Sequence, residues 1–367
     1  MIVTLRRAAF ILLLALLVSL AQAQETAVVI DMGATLRLRA QPTTRAEVLA
    51  YLQPNTPLLV LARSEGGLWL QVSTPQGLTG WVLAEYTRIV TSEGQSAPSV
   101  PPNVPFNAYS LVSNITDTAR TIHRQGRELG ARPNIFSKVG DSITAAPQNL
   151  NPIGRGQYIL GDYGYLQGAI DFFSGAFARD HDSFANGSLA AYPGWTTRSV
   201  LDASNSNPNL CLRDETPIAC ELRLVRPGFV LIMFGTNDMT LIDSNLYRNS
   251  LIEIAKLSIE RGAVPVLSTI PPRTNYEGSL ARTEEFNTII RQISIEMDIP
   301  LIDYYSAMLT LPNYGLEPDG VHPNSAYLGL RGAADFRAKN LAYGYVMRNL
   351  LQLHALDRLW REVVMGI

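Results

Sequence analysis

The chain is poor in cysteine, in histidine and in charge. Two cysteines among 367 residues cannot build a disulfide-dense scaffold or a four-thiolate zinc site. The four histidines fall at no zinc-ligand spacing, so no resident metal or cofactor is expected. Charged side chains make up only 17%, and 30 basic against 32 acidic ones leave a formal charge of −2. Without a basic excess the electrostatic footprint of a nucleic-acid binder is missing, which excludes that class of partner. The apolar run Ala8–Leu20 has 13 residues, short of the roughly 20 that a spanning helix needs. A phosphate-cradling loop is missing too: Gly154-Arg155-Gly156 with Gly161 has the wrong spacing and no strong strand before it.

What is present divides the chain into four parts. Residues 1–23 hold Arg6-Arg7, then that apolar run, then Ala21-Gln22-Ala23. This is the order of a secretory signal peptide, with an uncleaved anchor as the alternative. The mature protein is therefore expected outside the cytoplasm, with no stable transmembrane segment after cleavage. Residues 24–90 carry short apolar runs at Ala27–Ile30, Leu36–Arg39, Val48–Leu52, Leu58–Ala62, Leu68–Val72 and Gly80–Leu83, separated by turn signals such as Pro54-Asn55 and Gly66-Gly67. That spacing predicts a small all-β barrel or sandwich. Residues 91–105 hold four prolines and three serines without periodicity and read as a semi-extended linker.

From residue 106 to 367 helical and strand patterns alternate. Helices are expected over Phe106–Leu129, Leu246–Arg261, Leu280–Met297 and, for the most part, Ala333–Val364. Strands are expected at Ile135–Val139, Phe229–Phe234, Val264–Thr269 and Pro300–Tyr304. Such alternation predicts a parallel sheet with helices on both faces and reactive groups at the carboxyl ends of strands.

Four segments carry chemistry. They are Gly140-Asp141-Ser142-Ile143-Thr144, Pro193-Gly194-Trp195-Thr196-Thr197, Gly235-Thr236-Asn237-Asp238 and Asp319-Gly320-Val321-His322-Pro323-Asn324. A serine hydroxyl needs a base within hydrogen-bond reach, and His322 can be that base for Ser142. Asp319, three residues earlier, can hold the imidazole in orientation. The N–H groups of Ser142 and Gly194 and the side-chain amide of Asn237 supply donors for an oxyanion. Ser142 and Asn237-Asp238 would also suit helix caps, and Gly194 an ordinary turn. His123, His181 and His354 lack such companions and read as structural or exposed. No G-x-S-x-G elbow occurs in the chain, which argues against the α/β-hydrolase fold.

These four segments, in this order within residues 106–367, resemble the blocks of the SGNH hydrolase superfamily, the GDSL-like esterases. The resemblance implies a flavodoxin-like three-layer α/β/α sandwich and metal-free ester hydrolysis, with Ser142, Asp319 and His322 catalytic and Ser142, Gly194 and Asn237 forming the oxyanion hole. The N-terminal stretch, with Leu36–Arg39 before Pro42 and a Gly80-Trp81-Val82 strand, resembles the bacterial SH3-like module. Modules of that type bind cell-wall peptides or glycans, so a wall ligand is expected for residues 24–90 and an acylated glycan for the esterase. Lipid esters, a non-catalytic wall- or glycan-binding adaptor and acyl transfer at the same site are the competing readings. Tyr192 and Trp195, beside Gly194, are the expected substrate contacts. Cys211 and Cys220 are expected as one extracellular staple of the insertion between the second and third segments, two free thiols being the alternative.

Overall fold

The computed structural model describes residues 26–29, 35–44, 46–53, 56–64, 69–75, 77–90, 111–327 and 329–366. The signal peptide (1–23) and the linker (91–105) expected from the sequence lie outside the described residues. The chain divides into two compact units, Met1–Pro98 and Ser99–Ile367.

The first unit is one antiparallel sheet of seven strands. They are β1 (Thr26–Val29), β2 (Leu36–Arg39), β3 (Val48–Leu52), β4 (Pro57–Arg63), β5 (Trp69–Ser73), β6 (Thr79–Leu83) and β7 (Thr87–Val90), in the order β3-β2-β6-β5-β4-β1-β7. Alternation drives it: Leu36 and Leu38, Leu70 and Val72, with Ala27, Val29, Leu58 and Val82, form the small core. Gly80 is required where β6 crosses β2, because a Cβ there would lie 2.8 Å from the Arg39 carbonyl oxygen. Arg39 itself is buried and donates from Nη1 to the Ala46 carbonyl at 2.8 Å, which closes the β2–β3 turn. β7 was not foreseen, since Thr-Arg-Ile-Val follows the preceding turn without an apolar alternation.

The second unit is built on a five-stranded sheet, β8 (Val112–Ser113), β9 (Arg132–Gly140), β10 (Pro227–Met233), β11 (Val264–Ser268) and β12 (Leu301–Ile302), in the order β8-β12-β11-β10-β9. β9 to β12 run parallel, and every residue of β10 is buried, as a strand covered on both faces must be. Helices Asp117–Glu128, Gln167–Ser174 and Gly344–Arg358 group on one side of the sheet, with Pro217–Val225, Ser244–Glu260 and Ser279–Met297 grouped on the other. This is the three-layer α/β/α arrangement. Outside β9, where a flavodoxin-like order places a further strand, the chain makes a single parallel bridge, Gly140 to Ala191. No helix among the described residues is long and apolar enough to cross a membrane.

Two expectations are corrected. The helix expected over Phe106–Leu129 begins only at Asp117: Val112–Ser113 pairs antiparallel with β12, so the sheet is mixed, and residues 106–110 are not described. Thr116 starts the helix by accepting from the Thr118 N–H. The helix expected over Ala333–Val364 also starts late. Residues 334–343 are irregular apart from the short 3-10 helix Ala338–Asn340, and the α-helix is Gly344–Arg358, continuing as a π-helical stretch, Leu359–Met365.

Candidate active site

β9 delivers the first motif. Gly140 ends the strand where a Cβ would collide with the Met233 carbonyl and Thr144, so no other residue fits. Asp141 caps the short helix Ser142–Ala145 by accepting from the Ile143 N–H at 3.0 Å, which sets Ser142 at the first helical position. The hydroxyl of Ser142 lies 2.9 Å from His322 Nε2. On the other side of that ring, Nδ1 lies 2.6 Å from Asp319 Oδ2. Asp319 Oδ1 accepts the backbone N–H groups of Val321 and His322, both at 2.9 Å, so one carboxylate folds the loop and orients the ring. Burial pushes the Asp319 carboxyl up, but its hydrogen bonds to the His322 ring and to those two N–H groups outweigh this and hold it below the usual carboxylate range. The Asp319 and His322 side chains remain 49% and 42% exposed, so the pair opens to solvent.

The other two motifs are fastened to this one. The second runs alongside the end of β9, with Tyr192 N–H donating to Gly140 O at 3.2 Å and Gly140 N–H to Ala190 O at 3.1 Å. Gly194 follows in the left-handed region at φ +79°, which favours glycine although a Cβ would meet nothing within 4 Å. The third motif leaves β10 through Gly235, at φ +136°, and Asn237 Nδ2 donates to the Trp195 carbonyl at 2.9 Å. One amide N–H of Asn237 is thereby used, and the second has no hydrogen-bond acceptor among the described residues. The N–H groups of Ser142 and Gly194 donate to no acceptor among the described residues.

The arrangement thus brings Ser142, Asp319 and His322 into one hydrogen-bonded line and sets Gly194 and Asn237 on segments tied to it. The rings of Tyr192 and Trp195 lie 5.5 Å apart, with Tyr192 60% exposed. Of the other aromatics between Ser142 and Gly194, Tyr163, Phe173 and Phe184 are core. His123 is buried against Phe229 and His354 is buried, while His181 is exposed. Cys211 and Cys220 form a disulfide. Cys220 sits inside the helix Pro217–Val225, so the bond ties the preceding segment to that helix.

Three positioning residues escaped the sequence reading. Asp238, foreseen only as a helix cap, is buried and accepts from Thr197 N–H at 2.8 Å and Thr197 Oγ1 at 2.6 Å, which locks the second motif to the third. Burial raises its carboxyl above the ordinary value despite those bonds. Arg273 donates from Nη1 to the Thr236 carbonyl at 2.6 Å. Arg348, on the C-terminal helix and buried, donates to the Ile143 carbonyl and, at 2.9 Å, to Thr144 Oγ1. Burial pushes the Asp141 carboxyl up to about 6, while the Ile143 N–H and the Arg348 charge pull the other way. No local signal marked Arg348, because its helix also carries Asn349, Gln352, His354 and Asp357 and one more polar residue does not stand out.

A mixed α/β sheet whose loops bring a serine, a histidine and an aspartate together fits a class, the ester hydrolases. The chain belongs to the GDSL-like lipase/acylhydrolase family, whose model matches residues 139–327. A bacterial SH3 domain model matches residues 34–88. The protein is therefore an ester-hydrolysing enzyme carrying an SH3-like module. No curated protein matches the chain. Among solved structures, a lipase/acylhydrolase from Enterococcus faecalis is 20% identical, covering 62% of this chain and 95% of that one at a TM-score of 0.40. A GDSL-like lipase from Bacteroides thetaiotaomicron VPI-5482 is 15% identical, over 65% and 98% of the two chains at 0.39. An acetylxylan esterase from Geobacillus stearothermophilus is 18% identical, over 60% and 93% at 0.38.

Proposed function

We propose that this esterase works outside the cytoplasm through a Ser142-His322-Asp319 triad and removes acyl groups, acetyl above all, from cell-wall or extracellular polysaccharide. Ser142 Oγ attacks the ester carbonyl carbon while its proton passes to His322 Nε2. The N–H groups of Ser142 and Gly194 and the free amide N–H of Asn237 hold the oxyanion. As the intermediate collapses, the C–O bond to the alcohol breaks and His322 returns the proton to the leaving oxygen. Water, deprotonated by the same ring, then attacks the acyl-enzyme, and the acid and free Ser142 are released.

The observation that carries the mechanism is the unbroken line from Asp319 Oδ2 to His322 to Ser142 Oγ, at 2.6 and 2.9 Å. What supports a polymeric substrate is the half-exposed relay beside an exposed Tyr192 and its partner Trp195, together with the SH3-like module. Flat aromatic faces suit sugar rings, and an open site suits a chain that enters sideways. The site residues of a working hydrolase count against an adaptor role. The test is product analysis with the full chain: acetate released from an acetylated wall polysaccharide, against fatty acid released from long-chain esters. Preferential fatty-acid release would replace this substrate with lipid.

A further inference from the structure

Residues 271–278, between β11 and the Ser279–Met297 helix, belong to none of the four motifs yet touch two of them. Arg273 Nη1 donates to the Thr236 carbonyl, next to Asn237, at 2.6 Å. Thr274 N–H donates to the Gly320 carbonyl, two residues before His322, at 2.8 Å. Gly320 is what lets the loops meet, since its φ is +66° and a Cβ would lie 2.7 Å from Thr274 Oγ1. The loop therefore bridges the side of the site that carries His322 and the side that carries Asn237. Its tip is held firmly: Ser279 Oγ donates to the Arg273 carbonyl at 2.6 Å, and Ser279 N–H to the Tyr276 carbonyl at 3.2 Å. Arg273 also donates from Nε to Asn275 Oδ1 at 2.8 Å, and its guanidinium lies 5.6 Å from the centre of the Tyr276 ring. Tyr276 is nonetheless 40% exposed. An aromatic ring braced by a cation and left facing solvent is a preformed platform with little conformational entropy left to lose on binding.

The proton traffic says which half of an ester meets that platform. In the triad reading, on which this inference rests, His322 Nε2 must hand its proton to the leaving oxygen, so the alcohol lies on the His322 side. In the same reading the oxyanion is held by Gly194 and Asn237, next to Trp195 and Tyr192, while Thr274, two residues before Tyr276, bonds the Gly320 carbonyl of the His322 loop. We infer that Tyr276 is a specificity-determining residue that stacks on the alcohol half of the substrate and favours alcohols bearing a flat ring face, pyranosides in particular.

Two ester series on the full chain test this. One holds the acyl group at acetyl and varies the alcohol from ethanol to a mono-acetylated methyl pyranoside. The other holds the alcohol at 4-nitrophenol and varies the acyl chain from acetyl to octanoyl. Tyr276→Ala should lower kcat/KM on the acetylated pyranoside by about ten-fold, mainly through KM, and leave ethyl acetate within about two-fold. The acetyl-to-octanoyl ratio should not change, and Tyr276→Phe, which keeps the ring, should retain pyranoside activity. An equal loss on every alcohol, a shifted acyl preference or no change at all would overturn the inference. Wild type and Ser142→Ala hydrolysing every ester alike would instead overturn the triad reading itself, a result distinct from an active enzyme indifferent to Tyr276.

Discussion

Asp319 does two jobs with two oxygens, and a substitution can separate them. Oδ1 holds the Val321 and His322 N–H groups and Oδ2 holds the imidazole. In Asp319→Asn an amide oxygen can still accept from the backbone, but an amide N–H₂ facing Nδ1 favours the wrong ring tautomer. We expect kcat to fall by roughly 10³- to 10⁴-fold with the thermal midpoint little changed, as steady-state kinetics and calorimetry on one preparation would show. Asp319 and His322 were readable because they sit three residues apart in one loop, and Ser142, Gly194 and Asn237 because each lies in its own short motif. Asp238 and Arg348 were not legible as positioning residues. The partner of Asp238 is 41 residues away, and Arg348 reaches Ile143 across 205, separations at which local pattern carries no information.

Elements tell the same story one level up. β10 was legible because a strand buried on both faces is continuously apolar. β8 was not, since two residues, Val112–Ser113, show no period and take their strand character from pairing with β12. The C-terminal helix was legible in kind but not in extent, because its buried face includes Arg348, Asn349, Gln352, His354 and Asp357. Asn349 shows why such residues are tolerated: it accepts from Leu150 N–H at 3.0 Å and donates to Gln148 and Ala333 carbonyls. By the same logic this helix braces the short helix Ser142–Ala145. Arg348→Met removes both donors to the Ser142–Ala145 helix and leaves the Ile143 carbonyl without that partner. We expect kcat to fall at least ten-fold with KM nearly unchanged and stability to drop by a few kcal/mol. Arg348→Lys should not restore kcat, because one ammonium cannot reproduce a fork that reaches two acceptors. An unchanged kcat in either variant would show that this helix does not position Ser142.

At the scale of the whole molecule, buried titratable groups set how stability responds to acid. Burial lowers His354 from 6.5 to about 4, so the folded protein keeps it neutral where the unfolded chain protonates it. Its contribution is full above pH 6.5 and is lost as pH falls through about 4. Asp141 runs the other way. Raised from 3.8 to about 6, it favours the fold below pH 3.8 and loses that contribution as pH rises through about 6. The two slopes oppose each other, so the informative quantity is the stability difference between wild type and His354→Gln, measured by urea unfolding. That difference should shrink by about 3 kcal/mol between pH 7 and pH 4; a constant difference would contradict the buried neutral imidazole. In the proposed function one serine carries the chemistry of the larger unit. The most direct measurement treats the purified full chain with a phosphonate ester, which serine esterases trap covalently, and locates the adduct by peptide mass spectrometry alongside acetyl-ester turnover. One adduct is expected, on Ser142, with turnover lost in step, and neither adduct nor turnover in a folded Ser142→Ala protein. Turnover that survives in Ser142→Ala, or an adduct on another residue, would contradict the proposed function.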